Sequence, residues 1–242
     1  MFLSNSSLAG VVLSQVKFKI NAYSGLIYSL IILQLMGILF ASGASSSGTS
    51  INSISINLNI SSIDPSFLFV SLLAISVGNL ITTKAYRYDD FSFVATRLSS
   101  NLANIIVLLI FSCFAGLTTF LSGYIMRIIL TIYSSSEFVG STGIIEDPIR
   151  SLLTILAMIT LFWMFSSLGY LVGMLFQKHK LLFFGVLAIF IMLLVSKTWI
   201  KILEFIFVEN GSLLIFTIKI ISITIIFIAA SIAISHRLEV RS

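Results

Sequence analysis

The chain has 242 residues, of which 58% are hydrophobic and 10% charged; mean hydropathy is +1.12 and the formal net charge +5. A soluble globular domain carries about 25% charged residues, so this composition cannot clothe a water-facing surface and excludes a soluble enzyme or soluble binding module. The basic residues stand in twos and threes at the ends of apolar runs, a pattern of membrane topology and not of nucleic-acid binding.

Taken in order, the pattern predicts an all-α polytopic membrane protein with six spans in a single domain, 1–242. Residues 1–20 read as a weakly amphipathic helix lying in the interface. Leu8, Val11, Val12 and Val16 fall partly on one face, with Gln15, Lys17 and Lys19 off it. The first span is expected at 22–42. Small residues Ser42, Gly43 and Ala44 follow it as they would follow a signal peptide, but the apolar run exceeds the roughly 7–15 residues of such a region, so an uncleaved helix is expected. Residues 43–65 are rich in Ser, Asn and Gly without a basic residue, which predicts a flexible outer loop. Further spans are expected at 66–83, 102–126, 152–176, 181–195 and 212–235.

Between the second and third spans, 84–101 forms a short charged handle. Between the fourth and fifth, the basic turn Gln177, Lys178, His179, Lys180 is so short that its helices must be antiparallel neighbours. In 196–211, Trp199, Ile202, Leu203, Ile206 and Phe207 recur at helical spacing among Lys197, Lys201, Glu204 and Glu209, which predicts an outer interfacial or re-entrant segment; the ragged end of the fifth span is the other reading. Lys17, Lys19, Lys84, Arg87, Arg97, Lys178, Lys180, Arg237 and Arg241 fall on one side of this layout, against Arg127, Arg150, Lys197 and Lys201 on the other. The excess places both termini in the cytoplasm.

Catalytic signatures are missing. There is no GxxxxGK[ST] cradle, no HExxH and no GxSxG elbow; the two histidines, His179 and His236, sit in basic segments, and Cys113 stands alone in an apolar run as a helix-packing residue. Neither a metal site nor a cofactor is expected. Gly169 and Gly173, one turn beyond Ser166, form a small-xxx-small pair for close helix packing. Gln34, Asn79, Asn101 and Asn104 are expected to hydrogen-bond between helices. Lys219 is the one ionisable residue expected well inside a span. It either lines a polar conduit or snorkels to the outer headgroups.

The handle contains Arg87 to Ser100, RYDDFSFVATRLSS, with paired carboxylates beside aromatic residues, a surface suited to a protein partner. This segment and the layout of elbow helix, six spans and outer interfacial segment resemble the permease subunits of type-2 ATP-binding-cassette (ABC-2) transporters. The family's longer Glu-rich form with a Pro-Val-Ser-Arg-like ending is absent here, so the likeness is one of layout.

The resemblance implies a dimer of permeases, with a copy or a paralogue, in a bacterial plasma membrane. Each would be seated on a separate cytoplasmic ABC ATPase through Tyr86, Arg87, Asp89, Asp90, Phe91, Phe93 and Arg97. It implies that the segment from Trp199 to Phe207 is the outer re-entrant region, and that an amphipathic or hydrophobic substrate such as a peptide, antimicrobial or lipid is exported. The chain itself would be no enzyme, and its other partner would be membrane lipid, not nucleic acid. A scaffold that recruits a cytoplasmic partner through 84–101 without transport is the alternative. A membrane-embedded enzyme is disfavoured because the spans hold no cluster of His, Asp or Glu.

Overall fold

The computed structural model describes residues 8–42, 46–51, 54–83, 86, 96–133, 137–138, 144–178, 185, 201, 204–208 and 211–236. The expected fifth span at 181–195 apart from Gly185, most of the handle and Trp199 lie outside the described residues. What is described is helical apart from a small sheet: α1 (Leu8–Ala22), α2 (Ser24–Ser42), α3 (Asp64–Thr82), α4 (Arg97–Tyr133), α5 (Pro148–Lys178) and α6 (Leu213–His236), with a π-helical turn at Glu204–Val208. Five of these, α2 to α6, are long and apolar enough to cross a membrane.

Helix starts follow local chemistry. Thr96 caps α4 by accepting the Ser99 N–H at 3.2 Å, and Asp147 caps α5 by accepting the Arg150 N–H at 3.0 Å, with Pro148 at the first helical position where its missing N–H costs nothing. Ser212 does the same for α6 through the Ile215 N–H at 3.3 Å. The helix α4 runs well beyond the expected 102–126, beginning inside the handle and continuing to Tyr133. Its 37 residues span about 55 Å, longer than a bilayer core of about 30 Å.

Two further features differ from the sequence reading. Within the expected flexible loop at 43–65, β1 (Ser46–Ile51) and β2 (Ile54–Ser61) pair antiparallel, Ser46 opposite Asn59 and Ile51 opposite Ile54, and β3 (Glu137–Phe138) adds in parallel at Ile60 and Ser61. The reason is visible in ISINLNIS, which alternates apolar and polar residues with the period of a strand. The second difference is the face of α1. Val12, Gln15, Val16 and Lys19 form its buried stripe, while Leu8, Leu13 and Phe18 point outward. At 100° per residue, Gln15 and Lys19 fall close to Val12 and cannot lie on a separate polar face.

The core is layered along the bundle. At one end Val12 and Val16 of α1 pack with Val77, Ile81, Val107 and Tyr170; in the middle Leu30, Val70, Ala115 and Phe162 meet; at the other end Ile38 and Ala41 contact Met126 and Leu130. Lipid tails solvate leucine as well as another leucine does, so such helices associate through close packing and hydrogen bonds. Both are present. A Cβ on Gly78 of α3 would stand 2.7 Å from the Tyr170 backbone nitrogen of α5, and one on Gly169 would stand 2.8 Å from the Ile75 carbonyl carbon, so the two backbones meet only because both positions are glycine. The helix α6 lies along α5 with a stripe of Thr217, Ile220, Thr224, Ser231 and Ser235 buried.

Candidate functional site

The most distinctive chemistry is a buried polar chain at the end of the bundle where α3 stops and α4 starts. Lys19 is 2% exposed, and its Nζ donates to Asn104 Oδ1. Asn104 Nδ2 donates to Tyr170 Oη at 3.4 Å, Tyr170 Oη to Asn101 Oδ1 at 3.0 Å, and Asn101 Nδ2 to Ser235 Oγ at 3.1 Å. The chain of bonds therefore links α1, α4, α5 and α6. An ammonium ion in apolar surroundings is costly without an acceptor, and Asn104 of α4 supplies one.

Tyr86 belongs to the same end. Its ring stands edge-on to Tyr23, at the break between α1 and α2, with centroids 5.0 Å apart and planes at 76°. Through Tyr86 the handle thus touches the elbow that carries Lys19. Arg87, Asp89, Asp90, Phe91 and Phe93 lie outside the described residues; Arg97 opens α4, its side chain not described.

Gln15, one turn before Lys19, is fully buried, and neither its amide nitrogen nor its amide oxygen has a hydrogen-bond partner among the described residues; Trp163 Nε1 is likewise unsatisfied. Higher in the bundle Gln34 Nε2 donates to Thr118 Oγ1 at 2.8 Å and Thr119 Oγ1 at 3.1 Å, and the Ser112 and Ser166 hydroxyls lie 3.5 Å apart.

The other residues singled out from the sequence are dispersed. Gly173 faces α3, where a Cβ would stand 2.6 Å from Asn79 Oδ1. Lys219 sits near the opposite end of the bundle, half-buried, with Nζ donating to the Phe205 carbonyl at 2.7 Å and lying 4.0 Å from the centre of the Phe205 ring. Phe207 is exposed, with its ring 6.1 Å from that of Phe216. Cys113 is a half-buried free thiol. Among the described residues no group of His, Cys, Asp and Glu could hold a metal ion.

Sequence reasoning missed Lys19 and Tyr170 as members of the polar chain. A helical wheel would have placed Lys19 with Val12 and Val16; nothing in the sequence pairs Tyr170 with the two asparagines, because that contact is made between helices. Compared with known proteins, the chain matches no family model, no curated protein and no solved structure. Its function is therefore read from its own residues and their arrangement.

Proposed function

We propose that the chain is the membrane-embedded permease subunit of an ATP-driven exporter, moved by a separate cytoplasmic ATPase that docks on 84–101. The observation that carries this reading is the buried chain from Lys19 through Asn104, Tyr170 and Asn101 to Ser235, placed where the handle joins the bundle. A push on the handle reaches α3 and α4 directly and the elbow through Tyr86 on Tyr23. The polar chain then ties α1, α5 and α6 to the same movement, since a hydrogen-bonded network in a low dielectric resists being pulled apart one member at a time.

The helix directions support six crossings. Tyr170 and Ser235 both meet Asn101, so α5 and α6 end on the same side. Two successive described helices that run in the same direction are what an even number of crossings calls for. In this reading both termini are cytoplasmic in a bacterial plasma membrane, a second permease completes the pathway, and the cargo is amphipathic or hydrophobic.

The test is purification of the full chain in mild detergent with its bound partners. A soluble ATPase should co-purify, and its stimulated turnover should vanish in the Asp89→Lys, Asp90→Lys double variant. Recovery of a kinase or protease instead, or of an ATPase indifferent to that variant, would sink the exporter reading.

A further inference from the structure

At the end of the bundle away from Lys19, the π-helical turn and the first turns of α6 border an open cavity of about 520 Å³, within the roughly 300–1,000 Å³ of small-molecule sites. Its walls are apolar almost throughout. Phe205 and Ile206 of the turn and Ile218 and Ile223 of α6 make it apolar, yet Lys201, Lys219 and Ser222 also line it. Lys219 is held in place rather than trailing into solvent: the Phe205 carbonyl accepts from its ammonium at 2.7 Å, and the Phe205 ring lies beneath it at 4.0 Å. It stands about 9 Å along the helix from Leu213, a depth where the side chain meets the boundary between hydrocarbon and headgroups.

Two lysine side chains along one apolar groove, Lys201 exposed and Lys219 half-buried, bring positive charge to its rim and so attract an anion. Among the described residues that line the cavity none is acidic. Glu204, which precedes Phe205 on the turn, is exposed and not part of the wall. A free inorganic anion would match the lysines but leave the isoleucine surface wet, and a neutral lipid would cover the isoleucines without using the lysines.

We infer that this cavity binds an anionic amphiphile, its acidic head on Lys201 and Lys219 and its hydrocarbon against Ile206, Ile218 and Ile223. The site is a property of α6 and the turn, and it requires neither the ATPase nor transport.

The experiment uses the full chain in phosphatidylcholine nanodiscs supplemented with phosphatidylglycerol, with retained lipid counted by native mass spectrometry. Phosphatidylglycerol should be retained about tenfold over phosphatidylcholine, as two near-surface lysines allow. The Lys201→Gln, Lys219→Gln double variant should lose that preference. Ile223→Trp, which keeps both charges and fills the apolar wall, should lose it as well and so guards against a fold defect in the lysine variant. Lys17→Gln, which removes one charge at the opposite end, should leave it intact. Equal retention of the two lipids by the unaltered chain, a preference that survives either cavity variant, an equal loss with Lys17→Gln, or displacement of the lipid by millimolar inorganic phosphate would each overturn the proposal. The last outcome would mean that the head is recognised without the tail.

Discussion

A lysine ammonium packed beside Val12 and Val16 persists only while acceptors stay within reach, and Asn104 is the acceptor the structure provides from α4. Asn104→Leu should therefore cost about 1.5–3 kcal/mol, the range for hydrogen bonds to charged groups. Lys19→Met should cost less, because it removes the charge together with its requirement. Unfolding by sodium dodecyl sulfate titration reads both; a silent Asn104→Leu would mean that the network does not tie the helices together. Gln15 presents the opposite case. Its amide is buried without a partner among the described residues, so Gln15→Met, which keeps the length and drops the polar atoms, should raise stability by about 1 kcal/mol. A loss in the same titration would show that the amide is satisfied in the assembled protein.

At the level of elements, the contact between α3 and α5 is set by glycine. Gly78 faces the backbone of Ser166 and Tyr170, neither of which can retreat as a flexible side chain would. Gly78→Ala should force the helices apart and cost about 1–3 kcal/mol, the usual penalty of overpacking. Around Gly25 in α2 there is open space for 4 Å about the place a Cβ would take, so Gly25→Ala should be neutral or stabilising by up to about 1 kcal/mol. Equal effects of the two substitutions on the thermal midpoint would remove close α3–α5 packing as the explanation. The same logic accounts for α6, whose buried stripe is mostly Ser and Thr: small hydroxyl side chains satisfy their own helix, as Thr224 Oγ1 does on the Ile220 carbonyl at 2.8 Å, and let α5 approach.

For the molecule as a whole, the functional reading depends on which end faces the cytoplasm. In a Cys113→Ser background, Ile145→Cys reports on the end that bears the sheet, since Ile145 is 99% exposed there, and Thr83→Cys reports on the exposed end of α3 beside the handle. An impermeant maleimide should label Ile145→Cys in intact cells and Thr83→Cys only after permeabilisation. The reverse pattern would put the handle outside, beyond the reach of any cytoplasmic ATPase. The two ends then carry different chemistry: a buried hydrogen-bonded joint on the side that would receive force, and an open apolar-walled cavity bordered by Lys201 and Lys219 on the side that would meet the far leaflet.

Solvent class and the long apolar helices are written in composition and run length, because a chain with so few charges has only lipid to solvate it. The starts of α4, α5 and α6 are also within reach of sequence, since Thr96, Asp147 with Pro148, and Ser212 act on backbone groups within three residues. So is the ISINLNIS strand, whose alternation outweighs the loop-like bias of its Ser and Asn content. Tertiary structure alone decided that Lys19, Asn104, Tyr170, Asn101 and Ser235 form one chain, and that Lys201 and Lys219 share one cavity. Those groups are brought together across helix interfaces, and in a bilayer the register between helices is set by where small residues let backbones approach, a condition on pairs of surfaces that no local pattern encodes.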